Sequence, residues 1–249
     1  PNTDVGKALK IDDLFRDGYE AIFIGTGVWR PNTLGIKGES LGHVHFAINY
    51  LQNPDVYHLG NRVVLIGAGN AAMDVARTAI RHGTRHLECF SLTKKIAASH
   101  YEESYAKLEG VEFFYNKKPV EITDQGVIFR DVNEAEDGTL TEIPGSEVLY
   151  PADSVVVSIS QGACTTITET TEGLKVNARG LFVTDEVGRT SRPGIFASGD
   201  AVKGARTVVE AVAYSKKVAE AMHEYMQSLP ADAPDEYADV PVYQSDDGN

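Results

Sequence analysis

The chain has 249 residues, 42% of them hydrophobic and 24% charged, which is typical of one large or two ordinary globular domains. Its formal net charge of −13 argues against a nucleic-acid partner, because binding to phosphates needs clustered Lys and Arg. No apolar run approaches the roughly 18–20 residues of a membrane span, so we expect no membrane-embedded segment.

The two cysteines, Cys89 and Cys164, lie far apart in the sequence. They form no Cys-x-x-Cys pair, no disulfide scaffold and no ligand set for zinc or an iron–sulfur cluster. We therefore expect a cytoplasmic protein without a metal site in this chain. The polar start at Pro1, without Met, predicts that no signal peptide is present and that the chain is a piece of a longer protein.

The first predicted elements are a short helix at 12–16 and a strand at 19–24, which ends in Gly-Thr-Gly at 25–27. A helix is predicted at 41–51, and Pro54 follows its end. The Gly-x-Gly after the first strand is a weak sign of a nucleotide turn, because no helix of the right type follows it directly.

An apolar strand, a glycine turn and a helix follow one another over residues 62–82, and the turn reads Gly-Ala-Gly-Asn-Ala-Ala from Gly67. Gly67 permits the tight turn, and Gly69 lets the backbone approach a pyrophosphate. Ala72 keeps the helix close to the strand, and the helix N-terminus offers free N–H groups to the anion. This order predicts a dinucleotide-binding protein.

The rest of the pattern predicts an α/β fold. Strands at 62–66, 85–91 and 111–115 alternate with helices at 73–82 and 99–108, and a β-α-β-α-β order predicts a parallel sheet. Short strands joined by turns then predict an antiparallel β-meander. The later predicted elements are meander strands at 120–123, 126–132 and 140–150, a buried strand at 155–159, a hairpin at 174–184, a strand at 194–197 and a helix at 207–227.

Four segments, in this order, resemble the pyridine nucleotide–disulfide oxidoreductase superfamily, whose members bind both FAD and NAD(P)H. Within it the chain is similar to the glutamate synthase small-subunit branch, mainly through the last segment. The segments are 21–27 (AIFIGTG), 64–74 (VLIGAGNAAMD), 155–162 (VVVSISQG) and 194–200 with 204–211 (GIFASGD and GARTVVEA).

The resemblance implies a Rossmann-like NAD(P)H domain, with a parallel sheet and an antiparallel β-meander, inserted in a partial FAD-binding domain. We predict FAD-domain segments at 1–54 and 163–228, the NAD(P)H-binding domain at 55–162, and a flexible acidic tail at 229–249. The family's first Gly-x-Gly-x-x-Gly strand, and the iron–sulfur region of the glutamate synthase small subunit, are not among these residues. We therefore expect the C-terminal part of a longer flavoprotein, which by itself binds FAD weakly or not at all.

The resemblance also implies roles for residues of the FAD-domain segments. Asp200 matches the family aspartate at the ribityl and pyrophosphate region, and the helix beginning near Thr207 would direct its N–H groups at flavin N1 and O2. Arg206 would lie near a phosphate, although a salt bridge explains it equally well. The predicted FAD residues are Thr26, Gly27, Gly199, Asp200, Arg206, Thr207 and Val208.

The nicotinamide nucleotide has its own predicted residues. Asp74 corresponds to a frequent family acid near the nicotinamide, although a carboxylate in a first helical turn is also favoured by the helix dipole. The predicted residues are Gly67, Gly69, Asn70, Ala71, Asp74, Ser91, Lys94 and Lys95, and Gln161 and Gly162 of the third segment complete the cofactor set. We name no catalytic residue, because the two cofactors carry out hydride transfer themselves.

The choice between NADPH and NADH is made where the adenosine ribose is bound, roughly 20 residues past the glycines. Here no acid stands at the strand end, since Glu88 comes three residues before Ser91. Lys94 and Lys95 would bind a 2′-phosphate, which favours NADPH. The family often has an aromatic residue and two arginines here, so the residues at 91–93 depart from it, and the alternative that both lysines are ordinary surface charges stays open.

These features favour the electron-input part of an FAD-dependent oxidoreductase, which passes hydride from NADPH to FAD and on to a partner. The partner would be of the iron–sulfur or glutamate synthase type. The alternative is a non-enzymatic NAD(P)-binding redox sensor or scaffold, but such a protein has no need of half an FAD site. A disulfide reductase is disfavoured because the chain has no Cys-x-x-Cys dithiol.

Overall fold

The computed structural model describes residues 2–230, so most of the predicted tail at 229–249 lies outside the described residues. The described elements, in chain order, are α1 (Ile11–Arg16), β1 (Ile22–Ile24), β2 (Arg30–Pro31), β3 (Val44–Phe46), α2 (Ala47–Gln52), a 3-10 turn (Pro54–Val56), β4 (Arg62–Ile66), α3 (Asn70–Arg81), β5 (His86–Phe90), α4 (His100–Leu108), β6 (Glu112–Phe114), β7 (Lys117–Thr123), β8 (Gly126–Glu134), β9 (Leu140–Glu142), β10 (Val148–Pro151), β11 (Ser154–Val157), β12 (Gln161–Gly162), α5 (Thr166–Glu169), β13 (Ile195–Ala197), α6 (Asp200–Lys203) and α7 (Val208–Ser228).

Contacts between residues divide the chain into two units. Residues 31–160 form the continuous unit, and the split unit joins the described residues of 1–30 to those of 161–249. One unit therefore interrupts the other in the sequence, as the predicted insertion requires. The contacts place the boundaries between the units at 30/31 and 160/161, and the domain boundaries predicted at 54/55 and 162/163 stay predictions.

A five-stranded parallel sheet, in the order β3-β11-β4-β5-β6, forms the centre of the continuous unit. Its side chains alternate between two buried layers, as the two-residue period of a strand requires. Val63 and Leu65 pack with the apolar sides of α3 and α4, whereas Val64 and Ile66 pack against the meander. The sheet is thus covered by helices on one face and by strands on the other.

The antiparallel meander consists of β7, β8 and β10, and β9 pairs with the far end of β8. Phe129 of β8 stacks on Phe90 of the parallel sheet, with ring centroids 4.0 Å apart. This contact joins the meander to the end of β5, where the nucleotide ribose was predicted. The predicted strand at 140–150 is wrong in one respect, because a turn at Gly145, with φ +78°, divides it into β9 and β10.

The predicted helix at 41–51 is also wrong in its first half. Val44–Phe46 is extended and pairs in parallel with β11, and the helix α2 begins only at Ala47. Pairing with an apolar strand far along the chain overrides the local pattern. The helix predicted at 73–82 begins earlier, at Asn70, directly after the glycine turn.

In the split unit, β1 and β13 form a two-stranded parallel sheet, with Ile24 opposite Ala197. The long helix α7 packs on Phe196 through Val218 and Ala221, both buried. Its start has a capping box, in which the Thr207 hydroxyl accepts from the Glu210 N–H and the Glu210 carboxylate accepts from the Thr207 N–H. The predicted hairpin at 174–184 is reduced to an isolated antiparallel bridge between Val176 and Phe182.

Candidate nucleotide-binding site

The glycine turn between β4 and α3 is held tightly at its first residue. Gly67 has φ +110°, a left-handed value that favours glycine, and its N–H donates to the Phe90 carbonyl at 2.9 Å. A Cβ at this position would lie 2.2 Å from the Ser158 carbonyl oxygen. The close packing of the turn between β5 and the end of β11 therefore requires glycine at this position.

The second glycine of the turn faces open space. Gly69 is extended, with φ −91° and ψ 179°, and no atom lies within 4 Å of a Cβ added there. Within the described residues, the N–H groups of Asn70 and Ala71 have no acceptor, because they precede the first hydrogen bonds of α3, which run from Ala72 and Met73 to the Gly69 carbonyl. Free N–H groups at a helix N-terminus beside open space fit a pyrophosphate.

The side chain of Asn70 has a structural partner. Its Oδ1 accepts from the Ser99 N–H at 2.8 Å, and Ser99 in turn caps α4 by accepting from the Glu102 N–H. The Ala98 N–H also donates to the Ala68 carbonyl, at 3.0 Å. The segment before α4 is thereby tied to the glycine turn.

Asp74 lies on α3, one turn beyond the free N–H groups, and is exposed. Partial desolvation raises the pKa of its carboxyl, the Glu102 carboxylate raises it further, and Arg77 opposes both effects. Ala72, by contrast, is fully buried against β4 and β5, as the turn pattern requires. The nicotinamide role predicted for Asp74 stays a prediction.

A cavity of about 880 Å³ opens beside the segment that follows β5. Lys94 and Lys95 line it together, and Ala98, which is tied to the glycine turn, lines it too. The remaining lining residues are Ile96, His100, Glu103, Asn116, Glu134, Ala135 and Glu136. The structure therefore places both predicted lysines at one cavity next to the predicted pyrophosphate turn.

Asn116 lines this cavity and has a buried side-chain oxygen without a hydrogen-bond partner. The residue has φ +56°, in the left-handed region that asparagine tolerates better than most residues. Its Oδ1 is buried, and no described residue donates to it. Buried polar atoms are nearly always paired in proteins, so this unpaired oxygen is an exception among the described residues.

Ser91 does not reach this cavity. It is 6% exposed, and its hydroxyl accepts from the Thr93 N–H inside the turn. Its N–H and its carbonyl bond to Phe114 and Lys117. Ser91 thus shapes the turn that carries the two lysines, and its predicted cofactor contact stays a prediction.

Sequence reasoning missed Asn116, Glu134 and Glu136. Asn116 follows β6, Glu134 ends β8, and Glu136 lies in the turn after β8. Only the folding of the meander onto the sheet brings these residues to the cavity that the two lysines line. The Glu134 carboxylate accepts from the backbone N–H of Lys94 at 2.7 Å, a contact that spans 40 residues of sequence. No local pattern signals this contact.

The predicted FAD residues in the split unit form two local arrangements. At the end of β1, the Thr26 carbonyl accepts from the Trp29 indole N–H at 2.7 Å, and Gly27 has φ +69°. At the end of β13, Gly199 has φ +66°, and Asp200 Oδ1 accepts from the Arg206 N–H at 3.1 Å.

Arg206 has the salt bridge that was its alternative explanation, because its guanidinium lies 3.2 Å from the Glu210 carboxylate. Val208, the first residue of α7, is 78% exposed, and Val209 and Val212 are exposed too. Gln161 and Gly162 form the short strand β12. The roles of these residues toward FAD stay predictions.

Within residues 2–230, no group of three or more His, Cys, Asp or Glu side chains is arranged to hold a metal ion. The helices of the same part of the chain include none that combines the length and the apolarity needed to cross a bilayer.

A comparison with protein-family models matches residues 3–215 to the family described as pyridine nucleotide-disulphide oxidoreductase. The chain belongs to this family. The match covers most of the chain, so the superfamily predicted from the four motif segments is confirmed. The parallel sheet, the meander and the inserted order of the two units agree with the predicted fold class.

Curated relatives agree with the predicted branch. The chain is 30% identical to the glutamate synthase [NADPH] small chain of Escherichia coli (strain K12), over 91% of this chain and 54% of the relative. It is 34% identical to the NADP(+)-dependent formate dehydrogenase subunit beta of Moorella thermoacetica, over 91% of this chain and 34% of the relative. The chain thus spans about half the length of the former and about a third of the latter.

Solved structures agree on the fold. FprA from Mycobacterium tuberculosis, in complex with NADPH, superposes with a TM-score of 0.75 at 17% identity, over 91% of this chain and 68% of that one. The thioredoxin reductase of T. acidophilum gives a TM-score of 0.67 at 24% identity, over 84% and 66%. At these identities the likeness concerns the fold alone.

Proposed function

We propose that this chain is the NAD(P)H-binding, electron-input part of an FAD-dependent oxidoreductase. The observation that carries the proposal is the glycine turn, where open space at Gly69 adjoins the free N–H groups of Asn70 and Ala71. A pyrophosphate placed there receives two N–H donors and the positive end of α3. The adenosine half then has room in the adjoining cavity, near Lys94 and Lys95.

The split unit would contribute to FAD binding. Asp200 would accept from ribityl hydroxyls, and it already orders the backbone before α7 through the Arg206 N–H. The first N–H groups of α7 would favour negative charge on a reduced flavin. A bound FAD would supply the hydride acceptor for the nicotinamide. Because the chain spans only about half of its glutamate synthase relatives, we propose that these residues bind FAD weakly without further protein.

The electrons would leave through a partner subunit. The names of the relatives, a small chain and a subunit beta, describe members of larger assemblies, which supports this part of the proposal. We expect a partner of the iron–sulfur or glutamate synthase type and, from the use of cysteine, a cytoplasmic location. The alternative of a non-enzymatic NAD(P) sensor or scaffold predicts nucleotide binding without electron transfer to flavin.

Calorimetry of the chain with NADPH and NADH tests the nucleotide part. Saturable binding of either supports the proposal, and binding of neither contradicts it.

The flavin part is tested by purifying the chain with added FAD and following flavin absorbance through gel filtration. We expect FAD to be lost on the column, whereas a stoichiometric yellow protein would contradict weak binding. The enzyme and the sensor are separated by mixing NADPH with excess FAD. An oxidoreductase should make the flavin absorbance bleach faster with the chain than without it, whereas a non-enzymatic sensor should leave the rate unchanged.

A further inference from the structure

The cavity beside Lys94 and Lys95 is lined by carboxylates as well as by lysines. Of these charged groups, the segment directly after β5 contains only the lysines, so it does not reveal the carboxylates. Two lysines enter it from the segment after β5, and two carboxylates, those of Glu134 and Glu136, enter it from the end of β8 and the following turn. A third carboxylate on its wall, that of Glu103, is paired with Lys107 at 2.5 Å. The unpaired charges around the cavity therefore nearly balance.

This balance bears directly on the nucleotide that the cavity accepts. NADPH carries a 2′-phosphate, with a charge of about −1.5 to −2 at neutral pH, where NADH has a hydroxyl. Lysines attract that phosphate, and carboxylates repel it. A carboxylate instead accepts hydrogen bonds from the two free ribose hydroxyls of NADH. A site that contains both lysines and carboxylates should therefore bind neither NADPH nor NADH with a strong preference.

Glu134 is the best placed of these carboxylates. Its Oε2 accepts from the Lys94 backbone N–H at 2.7 Å, which holds the carboxylate at the base of the segment that carries both lysines. Lys94, Lys95 and Glu134 all line this cavity, so a phosphate bound there by the lysines would share the cavity with this carboxylate. Glu134 therefore adds negative charge to the cavity in which a 2′-phosphate would bind.

We propose that Glu134 is a specificity-determining residue, whose carboxylate offsets Lys94 and Lys95 so that the chain accepts NADH as well as NADPH. The proposal rests on the proposed function, because it requires the adenosine ribose to bind in this cavity. It differs from the expectation drawn from the strand end, where the missing acid and the two lysines favoured NADPH over NADH.

Glu134 has a second role, which the test must separate from the first. Its hydrogen bond also holds the backbone at Lys94, so Glu134→Ala would remove the charge and loosen the segment together. Glu134→Gln keeps a side-chain oxygen that accepts from the same N–H and removes only the charge. Glu136→Gln removes a second charge from the cavity wall at a residue that lies in the turn after β8.

The test is calorimetric titration of the wild type and of E134Q with NADPH and with NADH. We expect the ratio of NADPH affinity to NADH affinity to rise about three- to tenfold in E134Q, as removal of one partly exposed charge predicts. E136Q should change the ratio in the same direction, and K94Q in the opposite one. Raising the salt concentration should shrink the effect, because screening weakens exposed charges.

Glu112→Gln is the matched control. It removes the same charge from the same unit, but Glu112 lies at the start of β6 and lines a different cavity, with Arg62, His86 and Glu88. The ratio of NADPH affinity to NADH affinity in E112Q should equal that of the wild type. If both nucleotides bind and E134Q and E136Q change the ratio less than about twofold, the inference is wrong although the proposed function stands. If the wild type binds neither nucleotide, both are wrong.

Discussion

The backbone of Gly67 packs so closely on Ser158 that a Cβ at Gly67 would lie 2.2 Å from the Ser158 carbonyl oxygen. Gly69, two residues later in the same turn, has no atom within 4 Å of an added Cβ. The first glycine is therefore required by the protein itself. The second leaves open the space that a pyrophosphate would occupy.

Gly67→Ala and Gly69→Ala should accordingly have different effects. Gly67→Ala should reduce the free energy of unfolding by more than about 2 kcal/mol, because of the collision and the strain at positive φ. Gly69→Ala should change it by less than about 1 kcal/mol. It should, however, weaken nucleotide binding roughly tenfold or more, which is about 1.4 kcal/mol. Urea unfolding and calorimetry measure both, and equal stability losses would contradict this division of roles.

Asn70 offers a second separation of stability from binding. Asn70→Ala removes the acceptor of the Ser99 N–H and should cost about 1 kcal/mol of stability. Asn70→Asp keeps an acceptor there and adds a charge that the N-terminus of α3 favours, so stability should be retained. The same charge opposes a bound pyrophosphate, so nucleotide affinity should fall. Tight nucleotide binding by the Asp variant would argue against a pyrophosphate at this helix.

His82 should make stability depend on pH. Its pKa is raised, first by the hydrogen bond from its Nδ1 to the Thr78 carbonyl and then by the Asp55 carboxylate, 3.0 Å from its Nε2. Both ring nitrogens donate, so the protonated ring is the form that the folded state favours. This contribution is complete below the unfolded pKa of about 6.5 and is lost as the pH rises through the higher folded pKa.

The measurement is the free energy of unfolding of the wild type and of His82→Gln across the pH range above about 6.5. The advantage of the wild type should be largest at the acidic end and should shrink as the pH rises. Asp55→Asn should remove part of the same dependence. A difference between wild type and His82→Gln that stays constant with pH would contradict this assignment.

The two cysteines should differ sharply in reactivity. Cys89 is fully buried on β5, and desolvation raises the pKa of its thiol to about 12. Cys164 is exposed, and hydrogen bonds with the hydroxyl and then the backbone of Thr166 lower the pKa of its thiol. The thiolate is the reactive form. A disulfide reagent near neutral pH should titrate one thiol in the native protein and two in denaturant, and Cys164→Ser should remove the native signal.

The sequence by itself determined the features whose signals are local. The order of strand, glycine turn and helix over residues 62–82 predicted the parallel β-α-β unit that the structure contains. The helices predicted at 99–108 and 207–227 form at His100–Leu108 and Val208–Ser228, where the Ser99 and Thr207 hydroxyls cap the first turns. The motif order alone also predicted the family and the insertion of one unit in the other.

The tertiary structure alone decided the features that depend on distant residues. Val44–Phe46 is a strand because β11 offers it a parallel neighbour, although its surroundings predicted a helix. Glu134 and Asn116 lie at the lysine cavity because the meander folds onto the sheet through the contact of Phe129 with Phe90. A periodic pattern reports which face of an element is buried, but which distant charges share a cavity follows only from how the elements pack.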